Sequence, residues 1–145
     1  MFEEIHRPTL VVDMEKVRRN VQAMKDRADR NRVVFRPHLK THQSRTVARL
    51  LRELGVNAAT VSSVSMAHYF AADGWSDLTI AFPANIRETR ETDELAGRIR
   101  LGLLADSVGT VKALGDSLTH EADLWIKIDV GSRRCGIRAA DHGTL

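Results

Sequence analysis

The chain has 145 residues and a formal net charge of +3, with 43% apolar and 28% charged residues. This balance predicts a globular domain with its own core and excludes disordered and collagen-like chains. No apolar run approaches the ~20 residues of a membrane span. The start Met1-Phe2-Glu3-Glu4 lacks the basic region of a signal peptide, so a cytoplasmic protein without a membrane partner is expected.

The first elements in chain order are a strand, a helix and a second strand. Residues 9–12 are β-branched or apolar and predict a strand, and Asp13 is a favourable N-cap for the helix that follows. Apolar residues at helical spacing extend this helix to about Asn31. The apolar residues 33–35 predict the second strand, and Pro37 holds the residue before it in extended geometry.

Further along the chain, the same two patterns keep alternating. Ser44 predicts the cap of a second helix, and Gly55 its stop. Strands are then predicted at residues 58–62, 78–82, 101–104 and 124–130, and helices at residues 65–72, 87–99 and 108–118. The helix at 87–99 has few apolar anchors, whereas Val108, Val111, Leu114 and Leu118 predict a buried face for the last one.

Alternating strands and helices predict an α/β fold, specifically a partial TIM-type (β/α) barrel with parallel strands and outer helices. A closed barrel takes ~250 residues, whereas this chain holds about five or six strand-helix units and forms one incomplete domain over residues 1–145. The chain is therefore a fragment, or two copies complete each other, or the sheet stays open with its edges covered. Residues 139–145 look like the opening of another helix, which favours a fragment or truncated gene product.

Two features of the sequence concern a possible nucleic-acid partner and the cellular compartment. The arginines of the first predicted helix are interrupted by Glu15, Asp26 and Asp29, and no aromatic residues lie between them for base stacking. We interpret this helix face as solvated and predict no nucleic-acid partner. The single cysteine, Cys135, excludes an internal disulfide and fits a reducing compartment.

Lys40 is the predicted chemical centre, because it follows the strand at 33–35 and strand ends face the side where α/β folds bind ligands. The alternative is a solvated loop lysine, which is the commoner case for an arbitrary lysine. A lysine that attacks an aldehyde works best in a partly desolvated site beside other cations. His38, His42 and Arg36 are the candidate neighbours.

The segment Arg36-Pro37-His38-Leu39-Lys40-Thr41-His42 resembles the lysine motif of the D-threonine aldolase and D-serine dehydratase group. These are pyridoxal-phosphate enzymes of the alanine-racemase-like class, fold type III. A second segment, Ile128-Asp129-Val130-Gly131-Ser132-Arg133-Arg134-Cys135-Gly136-Ile137, resembles the Asp-Val-Gly-x-x-Arg-x-Gly segment of the same group. The resemblance extends weakly from Pro8 to Ile137, and the two motifs in the right order make it specific.

The resemblance implies a pyridoxal-phosphate-dependent lyase that acts on a D-amino acid through a Schiff base on Lys40. Arg134 would lie near the ring oxygen of the cofactor, and His42 completes the predicted cofactor-binding set. A catalytically incomplete scaffold of the same fold and an amino-acid racemase are the alternatives. The resemblance also implies a homodimer, and it assigns residues 1–13 to a second, β-rich domain.

Two alternatives remain open at these motifs. Arg134 either serves the cofactor or forms an ion pair with Asp129, and Asp129 is expected to accept hydrogen bonds from the loop around Gly131. His38 and His42 are four residues apart, as in zinc proteases, but Pro37 argues against a helix there, so no metal site is predicted. Some members of the resembled group use a divalent metal, whose ligands belong to a part that this chain lacks.

Overall fold

A computed structural model describes residues 4–138, and its centre is a parallel sheet of four strands in the order β1-β2-β3-β4. The strands are β1 (Ala59–Val61), β2 (Asp77–Pro83), β3 (Arg100–Ala105) and β4 (Asp123–Ile126). A short parallel pair follows, β5 (Ile128–Asp129) with β6 (Ile137–Arg138). The predicted helix opening at 139–145 lies outside the described residues.

The helices of the described residues are α1 (Met14–Arg30), α2 (Arg45–Glu53), α3 (Val64–Ala71), α4 (Thr89–Ala96) and α5 (Val108–Ser117). Helices α1 and α2 precede β1, whereas α3, α4 and α5 connect the consecutive strands of the four-stranded sheet, as parallel pairing requires. Asp13 and Ser44 cap α1 and α2 as predicted, because their side chains accept the backbone N–H groups of Lys16 and Val47. Within the described part of the chain, no helix combines the length and the apolar character needed to cross a membrane.

The core lies between the sheet and the helices. Ala59, Leu78 and Leu101 are neighbours across β1, β2 and β3, and all three are fully buried. Phe70 and Trp75, at the end of α3 and in the turn after it, are the largest aromatic side chains in this core. Burial of each large apolar side chain stabilises the fold by roughly 1.5–3 kcal/mol.

Two predicted strands are not strands in the structure. Residues 9–12 lie outside regular secondary structure, and no described strand pairs with them, which leaves Leu10 89% exposed. Residues 33–35 also lack a ladder, and Val34 is 76% exposed. Backbone pairing joins this segment to β1 at the bridge between His38 and Thr60, where the Thr60 N–H donates to the Pro37 carbonyl at 2.8 Å. Pro37 has no N–H of its own to continue the pairing.

Two predicted elements have different limits in the structure. The strand predicted at 124–130 is divided into β4 and β5 by Lys127. The helix predicted at 87–99 is the 3-10 helix Ile86–Glu88 followed by α4, and its single strong apolar anchor is Leu95, which is fully buried.

The sheet has an open edge at β4. Leu124, Trp125 and Ile126 are all exposed, although a strand with apolar residues on both faces is normally covered on both. On α5, Leu114 is buried, but the predicted burial of Val108 and Val111 is wrong. The reason is that α5 packs on β3 and α4, and no described element lies beyond β4 to cover its other side.

Candidate active site

A cavity of about 410 Å³ lies at the carboxyl ends of the parallel strands. This is the edge at which α/β folds bind their ligands. Its lining comes from the segment before β1, from the ends of β1, β2 and β4, and from the loop after β5. The lining residues are His38, Lys40, Ser62, Ala81, Phe82, Lys127, Ser132, Arg134 and Cys135.

The backbone around Lys40 is held by a 3-10 helix, Leu39–Thr41. The Lys40 N–H donates to Nδ1 of His38 at 3.3 Å, and the Gln43 N–H donates to the Leu39 carbonyl at 2.9 Å. Leu39 is fully buried in the core. Lys40 therefore has a fixed backbone, while its side chain extends into the cavity.

Lys40 is exposed, so the prediction of a desolvated lysine is wrong for this structure. The physical reason is that, among residues 4–138, the four-stranded sheet ends at β4 and has no further strand beside it. Of the three predicted cationic neighbours, only His38 lines the cavity. Arg36 instead binds Asp77 at the start of β2.

The two histidines of the lysine motif have different surroundings. His38 lines the cavity, and burial together with the positive charge of Lys40 lowers its pKa, which favours the neutral ring. His42 packs edge-on against Phe70, and its Nδ1 accepts the Ser44 N–H at 3.0 Å. Burial lowers the pKa of His42 as well. His42 thus lies outside the cavity lining that contains Lys40 and Arg134, and its predicted role in cofactor binding stays a prediction.

The loop after β5 presents Arg134 to the cavity. Oδ1 of Asp129 accepts the N–H groups of Gly131 and Arg133, both at 3.0 Å, and the Ser132 hydroxyl at 3.4 Å. These hydrogen bonds, led by the one from Arg133, lower the pKa of Asp129. The predicted hydrogen bonding of the loop to Asp129 is confirmed, and no ion pair joins Asp129 to Arg134 in the described structure.

The glycine of this loop next to Cys135 is required by its geometry. Gly136 has φ +110°, a region that L side chains rarely adopt. A Cβ at this position would lie 2.8 Å from the Lys127 carbonyl oxygen and 2.9 Å from the Asp129 nitrogen. The close approach brings the loop back against the end of β4, so that Arg134 and Lys127 line one cavity.

The cavity has a strongly biased charge. Its charged lining residues are the basic residues Lys40, Lys127 and Arg134, and the described lining includes no Asp or Glu. Such a donor set binds anions, and a guanidinium adds a planar fork that matches carboxylate or phosphate geometry. Within residues 4–138, no group of three or more His, Cys, Asp or Glu side chains is arranged to hold a metal ion.

Sequence reasoning missed Lys127, Ser62 and Phe82 as lining residues. Lys127 had a signal, because it is the only charged residue in the run from Leu124 to Ile128. Ser62 and Phe82 can be identified as lining residues only when the ends of β1 and β2 are known.

Comparison with known proteins identifies related sequences. A family model described as alanine racemase, N-terminal domain, matches residues 12–145. D-threo-3-hydroxyaspartate dehydratase of Delftia sp. (strain HT23) is 33% identical over 142 residues, which are 95% of this chain and 37% of that protein. D-threonine aldolase of Arthrobacter sp is 28% identical over 137 residues, 90% of this chain and 35% of the relative.

A solved structure shows the same fold. D-threo-3-hydroxyaspartate dehydratase from Delftia sp. HT23 matches with a TM-score of 0.87 and 31% identity, over 97% of this chain and 38% of that one. The predicted α/β class, a partial barrel with parallel strands and outer helices, is confirmed. This chain spans little more than a third of the length of the relatives it matches.

Proposed function

The chain belongs to the alanine racemase N-terminal domain family, and on that premise we propose that it is the barrel part of a pyridoxal-phosphate-dependent lyase acting on a D-amino acid. The reaction is of the D-threonine aldolase or D-serine dehydratase type, and the substrate is a D-amino acid with a hydroxyl on its side chain. One observation carries the proposal. Lys40 and Arg134, from motifs some ninety residues apart, line one cavity at the carboxyl ends of the strands.

The residues present fit this cofactor. Pyridoxal phosphate is small and anionic, and the cavity has the volume of a small-molecule site and only positive charges in its described lining. An amine is needed for covalent attachment to the aldehyde, and Lys40 supplies one on a rigid backbone. When bound, the cofactor provides an electron sink for negative charge at the substrate's α-carbon.

Three residues have defined tasks in this proposal. Lys40 would hold the cofactor through its amine and would move a proton at the substrate's α-carbon. Arg134 would bind an anionic oxygen of the cofactor, because a planar guanidinium fork fixes the direction of a charged partner. His38 supports the Lys40 backbone by accepting its N–H, and its lowered pKa keeps the ring neutral and able to accept.

The partner and the compartment are also proposals. Lys40 and Arg134 are both exposed, so a working site needs cover from further polypeptide. We propose that a partner subunit of a homodimer contributes to it, and that the protein acts in the cytoplasm. Light scattering of the purified protein tests the assembly, and a monomeric mass in the cofactor-loaded state would contradict it.

A second candidate is a catalytically incomplete scaffold of the same fold. The exposure of Lys40 and the uncovered strand β4 favour it, because an open site does not exclude water. In that case the chain dimerises or binds the cofactor without turnover. The third candidate function is that of an amino-acid racemase, which product analysis distinguishes from a lyase.

The test combines spectroscopy with product analysis. Addition of pyridoxal phosphate to the wild type should produce an absorbance band at about 410–430 nm, and Lys40→Ala should lack it. Lys112→Ala is the control, since Lys112 is an exposed lysine of α5 outside the cavity. Loss of the side-chain fragment or of ammonia from a D-3-hydroxy amino acid identifies a lyase. Conversion to the L form identifies a racemase, and a band without either product identifies a scaffold.

A further inference from the structure

The 3-10 helix that carries Lys40 has a histidine at each end. His38 precedes this helix as its N-cap, and His42 follows it as its C-cap. Nδ1 of His38 accepts the Lys40 N–H at 3.3 Å, and Nδ1 of His42 accepts the Ser44 N–H at 3.0 Å. Both imidazoles therefore bind a backbone N–H two residues further along the chain through the same ring nitrogen. These two contacts are termed the histidine clamp.

The backbone next to the lysine helix is strained. Gln43, between His42 and Ser44, has φ +48°, which is uncommon for a residue with a side chain. Such a conformation persists only where surrounding contacts fix it. The hydrogen bond from Ser44 to His42 spans this residue, and Ser44 in turn caps α2 by accepting the Val47 N–H. The clamp therefore joins the lysine helix to the start of α2.

The same hydrogen bonds determine where a further proton binds to each ring. A neutral imidazole has one N–H and one unprotonated nitrogen, so a ring whose Nδ1 accepts a hydrogen bond has its proton on Nε2. A further proton has to bind Nδ1, where it converts the acceptor into a donor that faces a backbone N–H. Protonation of His38 breaks its hydrogen bond with Lys40, and protonation of His42 breaks the one with Ser44. The clamp is complete only when both rings are neutral.

The surroundings of His38 oppose its charged form. The ring lines the cavity, and burial together with the positive charge of Lys40 lowers its pKa. The backbone of His38 bridges to Thr60 of β1, a strand without titratable residues. None of the other titratable residues of the described lining is a carboxylate that would pair with a protonated ring. They are Lys40, Lys127, Arg134 and Cys135.

His42 also lacks a partner for a positive charge. The ring packs edge-on against Phe70 of α3, its Nε2 is buried without a hydrogen-bond partner among the described residues, and burial lowers its pKa. The single carboxylate on α2 and α3 is Glu53, which ends α2 and pairs with Arg18 at 3.6 Å. A buried charge without a counter-ion is costly, so this site favours the neutral ring. The other titratable residues of the two helices are Arg45, Arg49, Arg52, His68 and Tyr69.

We propose that His38 and His42 are positioning residues that hold Lys40 for attachment to the cofactor, and that a proton on either ring opens the clamp and releases the lysine. The statement about cofactor attachment rests on the proposed function. The two hydrogen bonds and their loss in acid do not depend on it.

The lowered pKa values set the direction of the pH dependence. A free histidine has a pKa of about 6.5, and the pKa values of His38 and His42 in the folded protein lie below their ordinary value. Above the free value both rings are neutral, and the clamp contributes fully to the stability of the loop. As the pH falls below it, the released loop takes up protons that the closed clamp does not, so this contribution declines until the pH has passed the folded-state values.

Nuclear magnetic resonance tests the clamp without added cofactor. The amide resonances of Lys40 and Ser44 should shift in acid, with midpoints below the value of about 6.5 for a free histidine. His38→Asn should abolish the shift of Lys40 alone, and His42→Asn that of Ser44 alone, because an asparagine oxygen can replace Nδ1 as acceptor and does not titrate. The control His6→Asn replaces an exposed histidine outside the cavity lining and should leave both shifts unchanged. Shifts that persist in the two clamp variants, or their absence in wild type, would overturn the proposal.

The rate of cofactor attachment tests the consequence for Lys40. The absorbance band is followed after addition of pyridoxal phosphate to wild type and to the double variant with His38→Asn and His42→Asn. Protonation of the attacking amine slows both proteins alike, so the quantity compared is the ratio of the wild-type rate to that of the double variant. We expect this ratio to be constant above about pH 7 and to fall at least fivefold toward about pH 5.

A ratio that does not change with pH would refute the positioning role, even if the amide resonances shift. If no cofactor band forms in either protein, the proposed function has failed, and the amide titration alone then decides whether acid opens the clamp.

Discussion

Arg36 is joined to Asp77 by two hydrogen bonds, 2.7 Å from Nη1 to Oδ1 and 3.1 Å from Nη2 to Oδ2. The pair lies beside the amino end of β1, where Nη1 of Arg36 also donates to the Ala59 carbonyl at 3.3 Å. Both side chains are about three-quarters buried, with exposures of 24% and 23%. Since Arg36 lies four residues before Lys40 and its segment has no strand ladder, this pair fixes the lysine segment on the sheet.

The first prediction concerns this ion pair. A double-mutant cycle of Arg36→Met and Asp77→Asn should give a coupling energy of about 1–2 kcal/mol, because both partners are partly desolvated and doubly bonded. Urea denaturation of the two single variants and the double variant measures it. The exposed pair Arg98 and Glu94, 3.9 Å apart, is the control and should couple by less than about 0.5 kcal/mol. Equal coupling in the two pairs would contradict a special role for Arg36.

The second prediction concerns Leu39, which directly precedes Lys40 and is fully buried. Leu39→Ala should lower the free energy of unfolding by about 2–5 kcal/mol, since it leaves a cavity in the core. Val34→Ala is the matched control in the same segment, because Val34 is mostly exposed, and it should change stability by less than about 0.5 kcal/mol. Thermal or urea unfolding measures the loss of stability in each of these two variants. Similar losses would mean that Leu39 does not anchor the segment.

The third prediction concerns the two glycines of the arginine loop. Gly131 and Gly136 both have φ in the region that favours glycine, but only a Cβ at Gly136 meets backbone atoms. Gly136→Ala should therefore be less stable than Gly131→Ala by at least about 1 kcal/mol, the usual scale of overpacking. It should also weaken cofactor binding more, because Arg134 shifts with the loop. Equal effects of the two substitutions would indicate that the close approach to Lys127 is unimportant.

The fourth prediction is a pH dependence of the same loop. Hydrogen bonds from Arg133 and Gly131 lower the pKa of Asp129 in the folded protein below its unfolded value of about 3.9. Because the pKa is lower in the folded state, the ionised carboxylate contributes its full stabilisation of the loop at any pH above the unfolded-state pKa. This contribution disappears as the pH falls through the folded-state pKa. The amide resonances of Gly131 and Arg133 should shift below about pH 3.9, and Asp129→Asn should abolish that shift. A midpoint at or above the unfolded value would refute the explanation.

Local patterns in the sequence predicted much of the fold. Asp13 and Ser44 act as caps through contacts within three residues, and such contacts can be deduced without knowledge of the rest of the chain. The alternation of strands and helices predicted parallel pairing correctly. The resemblance implied that the motif lysine and the motif arginine both lie at the cofactor, and the structure brings Lys40 and Arg134 to one cavity.

Contacts between distant parts of the chain were not predictable. Lys127 divides the last predicted strand because of hydrogen bonds with Ala105 and Ile137, and neither partner can be identified from the local pattern. Arg36 was expected beside Lys40, but a carboxylate 41 residues further along the chain binds it instead. The exposure of Lys40 was not predicted, because it depends on which parts of the chain cover the cavity and no local pattern around Lys40 reveals them.

In the proposed function Lys40, and not the other lysine of the cavity, carries the cofactor. Borohydride reduction of the protein with bound pyridoxal phosphate makes the attachment permanent, and mass spectrometry of the peptides then locates the modified lysine. We predict one modified peptide, which contains Lys40, and an unmodified Lys127. Modification of Lys127 in place of Lys40, or an equal spread over exposed lysines such as Lys112, would contradict the account.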